Sequence, residues 1–301
     1  MGWKSILSVI FIIIVIVFLI IYWFIPIGEI NFNSGPSHSN FSLGNSSEMQ
    51  FYSNMRFPSK AISYKIYECG LQKQNDMEGA FEIVSNKTAL IFNEVLDDEE
   101  ISITCSEKVK MDEGLFIAGE GGPTKIIQTD LFNVILKGKI LLIKDSKCST
   151  PNVAIHELFH VFGFEHSENN KNIMYYMSKC GQTIGDDTID LINELYKMES
   201  YVDLSFTNVS AIVRGTYLDT EINVKNNGLA VSKDAEILIY ADDKLVKSLD
   251  LKSIEIGAGL KMTLENVWMT KRNPDKLKFV IDYDFEEIDK ANNELVLDVL
   301  S

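Results

Sequence analysis

Three of the chain's four histidines fall inside one eleven-residue run, His156-Glu157-Leu158-Phe159-His160-Val161-Phe162-Gly163-Phe164-Glu165-His166. On a helix, His156 and His160 sit one turn apart on the same face and can grip one ion. Glu157 shares that rim without being needed as a ligand. Gly163 accepts a backbone angle that a side chain resists, so the chain can leave the helix and bring His166 back as a third ligand. Three neutral imidazole nitrogens leave a tetrahedral zinc one position for water, which separates a catalytic zinc from a structural one. Zinc lowers the pKa of such a water to about 7, and Glu157 is then placed to act as general base in hydrolysis. A bare H-E-x-x-H arises by chance in helices. The added glycine and third histidine make a set of ordinary core histidines the weaker reading.

Eight residues after His166, the run Asn172-Ile173-Met174-Tyr175-Tyr176-Met177 supplies a methionine. The combined pattern resembles the metzincin zinc proteases, and the Ser167 position and the short step to Ile-Met-Tyr resemble their matrixin branch. Ala61–Ile66 resembles the first strand of that fold, Asp76–Lys87 its first helix, Ile101–Thr104 a following strand, and Gly185–Asp190 running into Leu191–Tyr196 its closing helix. The resemblance covers about half the chain. It implies an α+β domain with a twisted mixed sheet and three helices, one catalytic Zn2+ on His156, His160 and His166, and Met174 as the apolar floor beneath them. The implied activity is that of a zinc endopeptidase. Tyr176 stands where other metzincin branches supply a tyrosine to the metal or the oxyanion, so it is a candidate helper, with packing as the competing role. The Pro-Arg-Cys-Gly context of a cysteine switch is absent from the sequence, and His38 is the one spare imidazole for any second zinc.

These ligands need a rigid carrier. Thr150 before Pro151 reads as a helix start, with the hydroxyl as cap and proline at the first helical position, and the helix should run to about Phe162. Upstream, Met77, Ala80, Phe81 and Val84 recur at spacings of three and four, the pattern of an amphipathic helix backing a sheet. Lys139–Lys144, or the adjacent Phe132–Leu136, is the expected strand at the cleft's upper edge, with burial in the sheet interior as the alternative. The Gly119–Pro123 stretch reads as a turn region before it. Cys69, Cys105, Cys148 and Cys180 allow three pairings. Cys148–Cys180 would tie together both sides of the metal site and leave Cys69 with Cys105.

At 301 residues and a net charge of -15, the chain has room for about two domains and offers no basic surface for nucleic acid. Ile6–Ile25 carries no charge and is edged by Trp3, Tyr22 and Trp23. That length and those aromatic edges predict an uncleaved membrane helix, with Lys4 keeping the amino terminus in the cytoplasm and the remainder outside. After Met198 the pattern turns to period two, as in Leu218, Ile222 and Val224, then Leu277, Phe279, Ile281 and Tyr283. With turns at Asn226-Asn227-Gly228, Asp242-Asp243 and Asn273-Pro274, this predicts an all-β immunoglobulin-like sandwich of six or seven strands. Tyr283–Asn293 resembles the end of the CARDB family of prokaryotic surface modules. Its acidic residues lack regular calcium-ligand spacing, so a solvated turn is the expectation over a calcium site. The expected organisation is an anchor over 1–27, a flexible linker over 28–58, a matrixin-like domain over 59–200 and a CARDB-like sandwich over 201–301. The partners implied are a protein or peptide substrate, the membrane through residues 6–25, and a surface polymer or protein for the sandwich. The alternative is an adhesion or scaffold protein whose metzincin-like domain does not cleave.

Overall fold

The computed structural model describes residues 3–24, 29–34, 49–108, 110–112, 115–145 and 147–298. By contact the chain falls into two compact units that divide at Tyr201 and Val202; Gly228–Ala230 joins the first, and the segment before residue 35 joins the second. The chain opens with helix α1 (Trp3–Phe24), exposed at every side chain described, residues 6–22. Among the described residues no helix is long and apolar enough to cross a membrane. The anchor expected over Ile6–Ile25, whose last residue lies outside the described part, is not established by this helix.

Next comes strand β1 (Ile30–Ser34), which pairs antiparallel with a strand of the second unit, Ile30 opposite Val213 and Ser34 opposite Val209. This overturns part of the expected linker. Alternating Phe32 into the core (2% exposed) fixes the segment, and Met55 and Phe57 are fully buried in the first unit. Residues 35–48 of that linker lie outside the described residues.

The first unit contains β2 (Met55–Arg56), β3 (Ala61–Tyr67), α2 (Leu71–Lys87), β4 (Ile91–Glu94) and β5 (Ile101–Cys105). A small hairpin of β6 (Lys110–Asp112) and β7 (Leu115–Ile117) follows, then β8 (Gly119–Gln128), β9 (Asn133–Leu142), α3 (Asn152–Val161) and α4 (Asp186–Leu195). The sheet order is β2-β9-β5-β3-β4, all parallel, and β8 runs antiparallel along the other side of β9. Helix α2 buries the expected Met77, Ala80, Phe81 and Val84, which pack into one core with Ile62, Ile101 and Ile103 of the sheet and with Leu158 and Phe159 of α3. Each of these side chains larger than alanine contributes about 1.5–3 kcal/mol on burial.

Of the two readings for the strand before α3, the interior one holds: residues 133–136 and 139–142 share one interior strand, β9, and the edge is β8, which begins in the Gly119–Pro123 stretch expected to be a turn. The cap position of α3 is Pro151, one residue later than the Thr150 cap expected, and Thr150 offers its backbone carbonyl to the Asn152 N–H (2.8 Å).

The second unit adds β10 (Leu204–Arg214), β11 (Tyr217–Asn226), β12 (Ala235–Ala241), β13 (Lys244–Leu251), β14 (Gly259–Trp268), β15 (Lys276–Asp282) and β16 (Glu294–Asp298). They form two four-stranded sheets, β1-β10-β11-β14 and β13-β12-β15-β16. Burial alternates strictly along β11 and nearly so along β15, as period two requires of a sandwich. Asp242 and Asp243 both take positive φ and join β12 to β13, the backbone of a tight hairpin turn. The end of the unit is only in part the solvated turn expected, with Asp284 and Glu286 exposed. Glu287, Asn292 and Asn293 are buried; Glu287 accepts the Leu204 N–H at 3.2 Å and a bond from Asn293.

Candidate metal centre

Helix α3 is buried along almost its whole length, so its two histidines ride on a fixed element. It ends in a Schellman turn: the Gly163 N–H reaches His160 O (2.9 Å) and the Phe164 N–H reaches Phe159 O (3.1 Å). The rings of Phe159 and Phe164 meet edge to face at 5.6 Å, the apolar contact that accompanies this turn. Gly163 has φ +84, and a Cβ there would meet the Met55 Sδ at 2.4 Å. Conformation and space both demand glycine.

Beyond the turn, the chain is tied on two sides. Glu165 N–H donates to Met49 O (3.0 Å), and Ser167 N–H donates to Met174 O (2.8 Å). His166, held between them, returns to the helix. The three Nε2 atoms stand 3.0 Å (His156 to His160), 3.1 Å (His160 to His166) and 3.2 Å (His156 to His166) apart. A tetrahedral zinc with bonds of about 2.0–2.1 Å needs its nitrogens about 3.3 Å apart, so the rings already lie near that geometry.

The far sides of two rings fix the tautomer. His156 Nδ1–H donates to Ile173 O and His160 Nδ1–H to Phe164 O, both at 2.7 Å, which leaves each Nε2 lone pair facing the other rings. Burial lowers the pKa of all three imidazoles; for His160 burial and the neighbouring His156 bring it to about 4. Neutral imidazoles are what a metal requires. Three ring nitrogens that converge, two of them with lone pairs turned inward by the bonds on their far sides, fit a divalent, borderline-soft ion such as zinc.

The methionine turn supports this arrangement. Asn172 accepts the Met174 N–H on its side chain (2.8 Å) and the Tyr175 N–H on its carbonyl (3.1 Å). Met174 is buried at 2% exposure, and its neighbour Ile173 supplies the carbonyl that orients His156. The bridge Cys148–Cys180 closes the loop carrying this turn, and Cys69–Cys105 ties the segment before α2 to the end of β5. Both are the pairings favoured from the sequence. Gln182 holds the loop further, donating to Met177 O (2.9 Å) and accepting the Lys179 N–H (2.7 Å). Tyr176 is 57% exposed and lies against Tyr175 at 4.5 Å between ring centres.

Glu157 is 6% exposed and points toward the start of β8: a Cβ at position 119 would lie 2.8 Å from its Oε1. Burial, then the charge of Glu120, pushes its carboxyl up to about 8. A divalent cation beside it would oppose that rise. At position 121 a Cβ would come within 2.2 Å of the Glu157 carbonyl oxygen. Strand β8 can therefore lie on α3 only because it carries glycine at 119 and 121. The available sequence signal was the period of two in Gly119, Gly121 and Pro123, which a turn does not need.

Comparison with known proteins agrees with this arrangement. Residues 56–197 match the matrixin peptidase family and residues 201–296 match the CARDB family, in the order expected. No curated protein matches the chain.

Proposed function

We propose that the chain is a membrane-anchored, outward-facing zinc endopeptidase that hydrolyses peptide bonds, with His156, His160 and His166 as metal ligands and Glu157 as the proton carrier. The observation that carries this reading is the convergence of the three Nε2 atoms to within 3.2 Å, together with a matrixin match that supports a metallopeptidase. Bound zinc would supply Lewis-acid polarisation and a water ionising near pH 7.

The chain's own residues do the rest. Glu157, buried beneath β8, receives a proton from the attacking water and delivers it to the departing amine. An extended substrate pairs by main-chain hydrogen bonds with the outer edge of β8, where glycine keeps the strand close to α3. Tyr176 is the candidate to steady negative charge on the scissile carbonyl oxygen. Residues 6–25 form the anchor, with the amino terminus inside, and the sandwich binds a surface polymer or partner protein.

Digestion of casein and of a peptide library, with and without chelator, tests the reading. Chelator-sensitive cleavage is expected, and Glu157→Gln should retain zinc while losing about 100- to 10,000-fold in kcat. A zinc-loaded protein that cleaves nothing would favour the adhesion or scaffold alternative. Full activity in the glutamine variant would remove the assigned base.

A further inference from the structure

The segment just before the matrixin match holds the corner between the second and third histidines. Gln50 bridges antiparallel to Phe164, and its buried side chain donates to Phe162 O (3.0 Å) and Met55 O (2.9 Å) while accepting the Met55 N–H (3.0 Å). The Phe51 N–H donates to Gly163 O at 2.8 Å. This backbone is thus anchored on both flanks of the Schellman turn. It sets the Phe51 ring nearly parallel (13°) to the His160 imidazole, at 6.2 Å between centres.

That ring is not spent on the core. Phe51 is 42% exposed and its neighbour Tyr52 58%, whereas His160 beneath is 9% exposed. An exposed aromatic face beside a metal-ligand cluster, on a segment held by five hydrogen bonds counting Glu165 N–H to Met49 O, forms a preorganised apolar surface. Such a surface takes an apolar group with little ordering cost. A peptide bond presented to the histidines carries its side chains to either side of the metal, and on the His160 side the exposed ring of Phe51 covers the imidazole.

We propose that Phe51, flanked by Tyr52, is a specificity-determining residue that receives an aromatic or aliphatic side chain of the peptide substrate on the His160 side of the metal centre. The inference rests on the peptidase reading. It differs from a purely structural role, in which Phe51 covers His160 and contacts no substrate.

The test uses the zinc-loaded full chain and a peptide series varied at one position at a time, with phenylalanine, leucine, glycine or aspartate. At one position the wild type should prefer phenylalanine or leucine. Phe51→Ala should lower the ratio of kcat/KM for the apolar over the glycine peptide about tenfold, through KM, with zinc content unchanged. Phe51→Leu keeps cover over His160 and serves if the alanine variant does not fold; it should move the preference from phenylalanine toward leucine. Unaltered preference in either variant, or equal loss on every peptide accompanied by loss of zinc, overturns the inference while leaving the peptidase reading intact. A wild type that cleaves no peptide overturns the peptidase reading itself.

Discussion

Replacing Gly121 with alanine should cripple catalysis while sparing the metal. The new Cβ would stand 2.2 Å from the carbonyl oxygen of Glu157 and 2.8 Å from its carbonyl carbon, against an ordinary contact of 3.4 Å or more. Helix α3 is packed on nearly all sides, so the edge strand must yield, and by about 1 Å. A displacement of that size in a substrate-positioning element costs on the order of a hundredfold in rate, equivalent to about 2.7 kcal/mol. The ligands lie on α3 and the loop after it, none on β8, so zinc content should stay at the wild-type level. Gly122 is the internal control. A Cβ there meets nothing within 4 Å, so Gly122→Ala should change kcat/KM less than about twofold and raise stability by about 0.4–1 kcal/mol. The assay is kcat/KM on a fluorogenic peptide, with metal analysis and a thermal melt on the same samples. Wild-type activity in Gly121→Ala, or equal losses in both variants, would refute the placement of β8 over Glu157.

Other perturbations follow the same logic. Removing the Cys148–Cys180 bridge, whose partners are 32 residues apart, should cost about 4 kcal/mol by loop-closure entropy and hasten zinc release; a melt unchanged by the double serine variant would contradict this. Tyr176→Phe should lower kcat about tenfold or more with KM unchanged if its hydroxyl meets the oxyanion, and a wild-type kcat would assign the residue to packing alone. In the sandwich, burial, helped by the charge of Asp203 and opposed by the hydrogen bonds from Asn293 and the Leu204 N–H, pushes the Glu287 carboxyl up to about 7 from an ordinary 4.5. Between those values the unfolded chain ionises while the fold keeps its proton, so stability should fall as pH rises through this window, by at most about 3 kcal/mol. Glu287→Gln should flatten that slope in denaturant melts at pH 4.5 to 7.5, and an unaltered slope would sink the explanation.

The metal site was legible because its logic is local. The spacing of four from His156 to His160 fixes a shared helical face, and Gly163 announces the turn that follows. Helix α2 and the sandwich strands were legible for a similar reason, since their periodicity records which face is buried. What failed depends on partners distant in sequence. Gly119 and Gly121 read as a turn because nothing nearby says that α3 passes against them. Ile30–Ser34 alternates, but five residues amid asparagine and serine do not reveal a partner some 180 positions away. Arg56 gave no signal either. It is 1% exposed, donating to the carbonyls of Phe57, Leu195, Met198 and Pro58 with Tyr196 stacked at 4.4 Å, and so fastens the end of α4.

Because β1 precedes the first unit and β10 follows it, the peptidase region is an insertion, with the sandwich assembled from chain on both sides of it. A soluble fragment started at residue 56 would therefore lack one edge strand of its sandwich and leave the flank of β10 unpaired, an invitation to aggregate. The same connectivity bears on shedding. A single nick within residues 35–48 would not free the catalytic body from the chain's amino-terminal helix, since the severed strip would still be clasped by β10 and the body still joined through Tyr201 and Val202. Release would require that clasp to be peeled away as well.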